Sequence, residues 1–578
     1  MPENEHPDEE YSFYNLFVPL TNKKAIFIII IVGIIVFFNM LFNGFVLDDL
    51  FQIVNNENIK SNIFYYFTHE IGPYYRPLML TTFSIFYKIF GIQPFFFHFW
   101  QLTIHILNTI LLFIFLSEFF KKKYVALFLS LIFLVHPINT ETVNYVSLLQ
   151  DTYFIFFGLL SLVLIIKKGL HTKILICSSL LLLLSVFSKE TGVLFIFIQF
   201  AYVYLYHRKF FLRDLLFSFL VLTIYAGAKF VLFGNIISPN NFLFTINNTV
   251  ITAPFLQRII NIPSIILFYF RTFLFPVNLA IDQFWWEKTI TFSQFYLPLI
   301  IDLFLLLLFS VLGYTISKQN KKEFRLYIFF AFWLVIGLSF HSQILRLDST
   351  VAEHFFYFPM IGLLGLIGVG IQQTDFNKNI QSFFMTLGII ILIVFSLRTI
   401  ARNANWYSPL TLYSHDISIS NNADLQYNLG LAYGEVGNYL EAIKYIKESI
   451  VSIPSGYLLW QNLGDEYFQS HDYRDAATAF IQAIKLKPDF YGAYIDLVNT
   501  LLIDNNPKEA KGIIENEIVK KWPNNSSSWR LLGFANYMLK DKADTLKDFK
   551  KAYKLDPSDE NAYYYFNIQQ NKPVILKI

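Results

Sequence analysis

The feature that most constrains this chain is the succession of long apolar runs through its first 400 residues, beginning with residues 25–42. In lipid no water is available to pair backbone N–H and C=O groups, so each run must coil into a helix that satisfies them internally. Runs near 25–42, 95–117, 124–136, 151–167, 172–187, 190–206, 213–233, 294–316, 325–341, 353–372 and 380–399 read as membrane spans, about eleven in all. Several fall short of the roughly 20 residues that cross a bilayer, so their ends extend into the loops. Only 15% of the residues are charged, against about 25% in a soluble domain. A further apolar segment, 256–276, carries Arg258, Pro263 and Arg271. It reads as a helix lying at the interface and not as a span. The net charge of +3 and the lack of a basic tract interleaved with aromatics leave no case for a nucleic-acid partner. A single cysteine, Cys177, excludes an intramolecular disulfide or a thiolate metal site and reads as a buried, inert thiol.

Basic residues in short loops orient the spans, because they stay cytoplasmic. Residues 1–24 form a cytoplasmic segment that opens with an acidic stretch, 2–10, and closes with Lys23 and Lys24. No small-residue cleavage site follows the first apolar run, which therefore reads as an uncleaved signal-anchor. Lys121 to Lys123, Lys167 with Lys168 and Lys173, Arg208 with Lys209 and Arg213, and Lys318 with Lys321, Lys322 and Arg325 all fall inside if 256–276 does not cross. The transmembrane domain, 25–400, then has outer loops at 43–94, 137–150, 188–190, 234–293 and 342–352. Everything after residue 400 is extracytoplasmic.

Composition changes at Arg402. After a connecting segment, 401–422, the chain becomes polar and periodic. Residues 457–490 contain Leu463, Gly464, Tyr467, Ala476, Phe480, Ala483 and Pro488; residues 423–456 contain Leu429, Gly430, Tyr433, Ala442 and Pro454. Pro454 and Pro488 stand 34 residues apart, the period of the tetratricopeptide repeat with its two antiparallel helices. Residues 526–559 fit through Trp529, Leu532, Gly533, Phe549, Ala552 and Pro557. The stretch 491–525 is degenerate and one residue too long. Residues 423–578 therefore read as an α-solenoid of about four repeats closed by a capping helix, a surface suited to binding protein or acting as a spacer.

Chemistry-bearing residues gather beside the outer loops. Asp48 and Asp49 follow the first span between apolar neighbours, which is costly unless they are solvated, paired or used; a helix N-cap is the plain alternative. Arg76, His136, Glu141, Asp151, Lys189, Glu190, Glu353, His354 and Arg402 stand at other span ends on the same side. Each alone suits an interfacial anchor or a local ion pair. Together, carboxylates and cations on one side of a helical bundle suit transfer from a phosphate-linked lipid. A carboxylate takes the proton of an acceptor hydroxyl, and cations stabilise the leaving phosphate. Neither a P-loop nor an HExxH, CxxC or GxSxG motif occurs.

These residues carry a resemblance. Residues 45–50 with the double Asp, Asn55-Asn56, Tyr75-Arg76-Pro77, His105, His136-Pro137, Thr140-Glu141, Ser188-Lys189-Glu190-Thr191-Gly192, Glu353, Tyr357-Phe358-Pro359, Arg402-Asn403 and Trp406 follow the order and spacing of the transmembrane-and-tetratricopeptide-repeat protein O-mannosyltransferases, a branch of the GT-C glycosyltransferases. The resemblance implies an all-α, GT-C-like membrane bundle and a polyprenyl-phosphate-linked sugar, mannose in this family. It implies inverting transfer to Ser or Thr hydroxyls of extracytoplasmic proteins, with Asp48 or Asp49 as the catalytic carboxylate and no cofactor. Arg76, His136, Lys189, His354 and Arg402 would face donor phosphate, with Glu141, Asp151, Glu190 and Glu353 as supporting acids. Two positions depart from the family pattern. Gln150 stands where an Arg is usual before Asp151, and His354 stands where an Arg usually follows Glu353. A lipid-linked oligosaccharide ligase or polymerase, and a non-catalytic membrane-anchored scaffold, are the alternative readings.

Overall fold

The computed structural model describes residues 19–69, 75–233, 253–281, 283, 285–287, 289–345, 347, 349–373 and 378–576. The acidic stretch 2–10 and the loop portion 234–252 lie outside the described residues. The described chain is helical, its one β contact being an isolated bridge between Gln283 and Val351. It divides into two compact units, Met1–Ser420 and Asn421–Ile578.

The first unit is a helical bundle. Its helices are α1 (Asn22–Phe37), α2 (Pro77–Phe90), α3 (Pro94–Ser117), α4 (Lys123–Val135), the short α5 (Thr140–Asn144), α6 (Leu149–Lys168), α7 (Thr172–Ser188), α8 (Val193–Tyr206) and α9 (Phe211–Phe233). They continue with α10 (Phe255–Leu274), α11 (Leu297–Gln319), α12 (Lys321–Phe340), α13 (Pro359–Gln373), α14 (Lys378–Asn405) and α15 (Pro409–Asp416). Each of the expected span segments is helical, but the lengths differ. Among the described residues seven helices are long and apolar enough to cross a membrane, or eight if α4 and the following Pro137–Asn144 segment, bent by 49°, count as one. The remaining expected spans, in α7, α8 and α13, are apolar but shorter. The stretch Phe255–Leu274 is not among the helices that qualify; it buries Arg258, Asn261, Tyr269 and Phe273 on one face.

Packing separates the helices into two kinds. The windows of α3 and α6 are 67% and 72% buried within the protein, whereas those of α11 and α14 are only 6% buried. Phe304, Leu307, Phe383, Ile390 and Leu397 are exposed on the latter pair. Apolar surface on that scale is untenable against water, so these faces are turned to lipid and the chain is a membrane protein. Cys177 also lies on an exposed face of α7. The expectation of a buried thiol is thereby corrected: an apolar run in a membrane helix is apolar whether it faces protein or lipid, and hydropathy does not distinguish the two.

Inside the bundle, polar side chains bond across helices. Ser161 and Ser178 approach to 2.8 Å, Gln199 accepts from both, and Gln199 Nε2 donates to Asp214 Oδ1 at 2.7 Å. The chain thus links α6, α7, α8 and α9, and in hydrocarbon a polar group left alone would cost more than one so paired. Helices α12 and α13 approach closely because Gly362 sits against the backbone of Leu334, where no Cβ would fit. The segment between α1 and α3 is compact. Short turns at Glu57–Lys60 and Tyr65–Phe67, together with α2, bury Ile53, Ile59, Tyr66, Met79 and Phe83 against Phe97, Ile104, Leu149 and Tyr153.

The second unit is a stack of helix pairs: Ala423–Glu435 with Tyr439–Ser452, Tyr457–Gln469 with Tyr473–Leu486, Tyr491–Ile503 with the helix from Pro507, and Ser526–Met538 with Lys542–Leu555, closed by Asp559–Gln569. The 34-residue pattern is therefore a tetratricopeptide solenoid. The surplus residue of the third repeat has a physical home. The second helix of that repeat contains a π turn, Ile514–Ile518, and a π turn accommodates one residue more than an α turn.

Candidate active site

One end of the first unit gathers the polar residues singled out in the sequence, and the local backbone explains how. Helix α1 tightens into a 3-10 turn, Phe38–Phe42. The chain then reverses through Leu47, whose φ of 53° is left-handed. A branched, non-glycine residue adopts that conformation only when its surroundings impose it, and such strain concentrates at functional sites. The next two residues are Asp48 and Asp49.

The two carboxylates have different environments. Asp49 is fully buried. Its Oδ1 accepts from the Ser147 amide at 2.7 Å and the Ser147 hydroxyl at 2.6 Å, and its Oδ2 accepts from the Val46 amide at 3.3 Å. Burial pushes its carboxyl up to about 7, against the pull of those hydrogen bonds. Asp48 is exposed. Its backbone amide donates to the Tyr145 hydroxyl at 3.0 Å, and its side chain also acts on that phenol. Asp49 thus ties the loop to the Tyr145–Ser147 segment, and Asp48 reaches the surface beside Tyr145.

Behind this pair runs a chain of buried asparagines. Asn43 donates to Asn144 at 3.0 Å, Asn144 donates to Asn403 at 2.7 Å, and Asn403 donates to the Val36 carbonyl at 3.1 Å. It joins the ends of α1, α5 and α14 and holds fixed the loop that carries the aspartates.

The cations at this end are engaged by acids. Arg76 donates to Gln150 Oε1 at 2.7 Å and to Glu190 Oε2 at 3.3 Å. Gln150, the residue standing where an Arg is usual, is therefore an acceptor for Arg76. Lys189 donates to both oxygens of Asp151, at 2.7 and 2.9 Å, with both side chains buried. His354 pairs through Nδ1 with Glu141 at 2.9 Å, and its amide donates to the same carboxylate. His341, at the end of α12, lies close enough to Lys189, His354 and Asp151 to feel their charges, and its Nδ1 meets the Gly337 carbonyl at 2.9 Å. Buried Lys229 of α9, which carried no signal in an apolar stretch, acts on Glu190 together with Arg76.

A second buried network adjoins these pairs. Arg402, with no exposed surface, forks onto Asp416 at 2.6 and 2.9 Å and lies 5.6 Å from the Trp406 ring. Asp416 also accepts from the Ile281 amide at 2.8 Å. Burial raises the Asp416 carboxyl, but Arg402 outweighs it and holds Asp416 below its ordinary value. Glu353 is 1% exposed. The charges of Arg402, Glu141 and Asp416 all act on it. His136 stands apart from the phosphate-facing role expected of it. It is fully buried, Nδ1 accepts from the Ile138 amide, Nε2 meets the Phe273 carbonyl at 2.9 Å, and the ring stacks on Phe273. Both nitrogens are used within the fold. Among the described residues no group of three or more His, Cys, Asp or Glu is arranged to hold a metal ion.

Residues 423–451 and 462–526 match tetratricopeptide-repeat families. Over 447 residues the chain is 26% identical to protein O-mannosyl-transferase F38B6.6 of Caenorhabditis elegans, covering 73% of this chain and 62% of that protein. It is 22% identical to protein O-mannosyl-transferase TMTC3 of Mus musculus, over 94% of this chain and 65% of the relative. The human TMTC3 gives the same identity over 94% and 69%. The relatives are protein O-mannosyl-transferases. This chain spans roughly two thirds of their length, 62–69%, and the likeness to the mannosyl-transferases runs through both units.

Proposed function

We propose that this protein is a membrane glycosyltransferase that moves a mannosyl group from a polyprenyl-phosphate-linked donor to a Ser or Thr hydroxyl of a protein. The observation that carries the reading is the exposed Asp48, held beside Tyr145 at the bundle end where Arg76, Lys189, Lys229 and His354 collect. The names of the relatives supply the sugar and the acceptor class.

The chemistry is a single displacement. An alcohol is a weak nucleophile at neutral pH, so a carboxylate must accept its proton as the bond from oxygen to the sugar's anomeric carbon forms. The bond from that carbon to the phosphate oxygen breaks, and the electron pair leaves with the phosphate. The leaving phosphate needs positive charge and not an acid, so one carboxylate base suffices; hydrolysis of an ordinary glycoside requires two. Asp48 suits the base because it is exposed. Asp49 suits a positioning residue because its oxygens are spent on Ser147 and Val46. Arg76 suits the phosphate contact, and its bond to the neutral Gln150 is one a charged oxygen can displace. Lys189, held by Asp151, and His354, held by Glu141, are further candidate hydrogen-bond donors to the phosphate. The basic residues of the short loops support an extracytoplasmic position for this bundle end, and the repeats would bind the acceptor.

The test is transfer of radiolabelled mannose from a polyprenyl-phosphate donor to an acceptor polypeptide by the full-length protein in lipid vesicles. Asp48→Asn is expected to lower the rate by about 10²–10⁴-fold while the protein stays inserted and folded. Transfer at the parental rate by both Asp48→Asn and the Asp48→Asn/Asp49→Asn double variant would refute the catalytic reading and favour a membrane-anchored scaffold.

A further inference from the structure

Three arginines meet α10 or the turn that follows it, and one of them is unspent. Arg258 donates to the Gln343 and Ile344 carbonyls, each at 3.0 Å. Arg398 of α14 donates to the Val277 carbonyl at 2.8 Å and to the Pro276 carbonyl at 3.3 Å. Arg271, in the last turn of α10, is exposed, and its guanidinium makes no hydrogen bond or ion pair among the described residues. A cation at a helix C-terminus is ordinarily accounted for by the partial negative charge of the last carbonyls. The surroundings of Arg271 ask for more than that.

Arg271 borders a cavity of about 410 Å³ whose other walls are Thr272, Phe275, Val277 and Asn278. Ligand pockets run to roughly 300–1,000 Å³. The side chains of Thr272 and Asn278, like that of Arg271, make no hydrogen bond among the described residues. The carbonyls that would repel an anion here are already taken. That of Arg271 accepts from the Phe275 amide at 2.7 Å, and those of Pro276 and Val277 accept from Arg398. The rim of the cavity is apolar. Leu274, Phe275 and Val277 are 59%, 69% and 67% exposed, and Val394 and Leu397 are exposed beside Arg398 on lipid-facing α14. Apolar surface of this kind is stable against hydrocarbon and not against water. A free guanidinium, a hydroxyl and an amide thus stand together where the protein surface passes into lipid.

We infer that this cavity holds the headgroup of an anionic phospholipid of the surrounding bilayer. Arg271 pairs with the phosphate, Thr272 and Asn278 donate to its oxygens, and an acyl chain lies along Phe275, Val277 and the exposed face of α14. The lipid is a net anion because Arg271 has no acid of its own, whereas a zwitterionic headgroup brings its own cation. The bound lipid pins the end of α10, whose Phe273 carbonyl meets His136. The site is separate from sugar transfer.

The experiment is native mass spectrometry of the full-length protein in detergent, with no sugar donor present. Dimyristoylphosphatidylglycerol and dimyristoylphosphatidylcholine are the probes. The phosphatidylglycerol is expected to bind about ten-fold more tightly, the worth of one charge-assisted contact. Arg271→Gln should remove that preference and Asn278→Ala should weaken it several-fold, while Lys322→Gln, at the opposite end of the bundle, leaves it unchanged. Arg271 has no bond within the fold to lose, so Arg271→Gln should melt with the parent in lipid-free detergent, which separates lost binding from lost folding. Glycerol 3-phosphate in excess should fail to displace the lipid, because it lacks the chain that the apolar rim holds. Equal affinity for the two lipids, full phosphatidylglycerol binding by Arg271→Gln, or complete displacement by glycerol 3-phosphate would each overturn the inference.

Discussion

Replacing Asp49 by Asn gives a quantitative test of the division between the two aspartates. In the parent, the buried carboxylate accepts three hydrogen bonds, two from Ser147 and one from Val46. Asparagine keeps the volume but offers one acceptor oxygen. If that oxygen stays on Ser147, the new NH₂ group faces the Val46 amide, donor against donor. Losing one bond and stranding a buried donor costs about 1–3 kcal/mol, seen as a melting temperature lowered by a few degrees. The parent also carries a pH signature. A carboxyl with a folded-state pKa of about 7 and an ordinary value of 3.8 binds more protons folded than unfolded. Its stabilising contribution is therefore full below about 4 and lost as pH rises through about 7, on the order of 4 kcal/mol in all at 1.36 kcal/mol per pH unit. Asp49→Asn removes that slope, so the penalty of the substitution is greatest in acid and shrinks toward pH 8. Melting curves of the parent, Asp48→Asn and Asp49→Asn in detergent, from pH 5 to 8, measure both effects. Asp48→Asn should track the parent throughout. Asp49→Asn that melts with the parent at every pH, or Asp48→Asn carrying the larger penalty, would refute the assignment of Asp49 to structure.

Other outcomes follow from the same geometry. Lys189→Met strands the Asp151 carboxylate in a buried site and should cost about 3–5 kcal/mol, whereas Lys189→Met with Asp151→Asn should recover much of it; a double-mutant cycle on melting temperature decides. Gly192→Ala drives a Cβ into the backbone of Ser185, so a loss of about 1–3 kcal/mol is expected, with a fall in transfer activity because the same turn presents Lys189 and Glu190. Fusions of a reporter after residues 285, 320 and 420 should place 320 on the cytoplasmic side and the other two opposite. An inside signal at 285 would make α10 a span.

The helices and repeats were legible in the sequence because hydropathy runs and a 34-residue period are properties of residue type and spacing alone. The double aspartate was legible as a pair, since two acids between apolar neighbours are conspicuous. The different environments of its members were not. They depend on Ser147, almost a hundred residues away, and no local pattern marks that serine as a donor to Asp49. The use of both His136 nitrogens on backbone was hidden for the same reason. Lys229 is an isolated charge in an apolar stretch of sequence, and only the packing of α9 brings it near Glu190. Asp416, in the connecting segment, gave no cue that Arg402 would fork onto it. Ion pairs and caps made across the fold were thus invisible, while everything set by period was visible.

The π turn of the third repeat has a mechanical consequence for the array. In a solenoid each unit registers only against its neighbours, so an added residue could throw every later unit out of phase. Here the surplus is stored as a local overcoil within Ile514–Ile518, and the following helix, Ser526–Met538, resumes the pattern, with Gly533 against Phe549 as Gly464 is against Phe480. The array behaves like a chain of gears with one elastic tooth: the extra residue is absorbed where it occurs, and the units downstream keep their register.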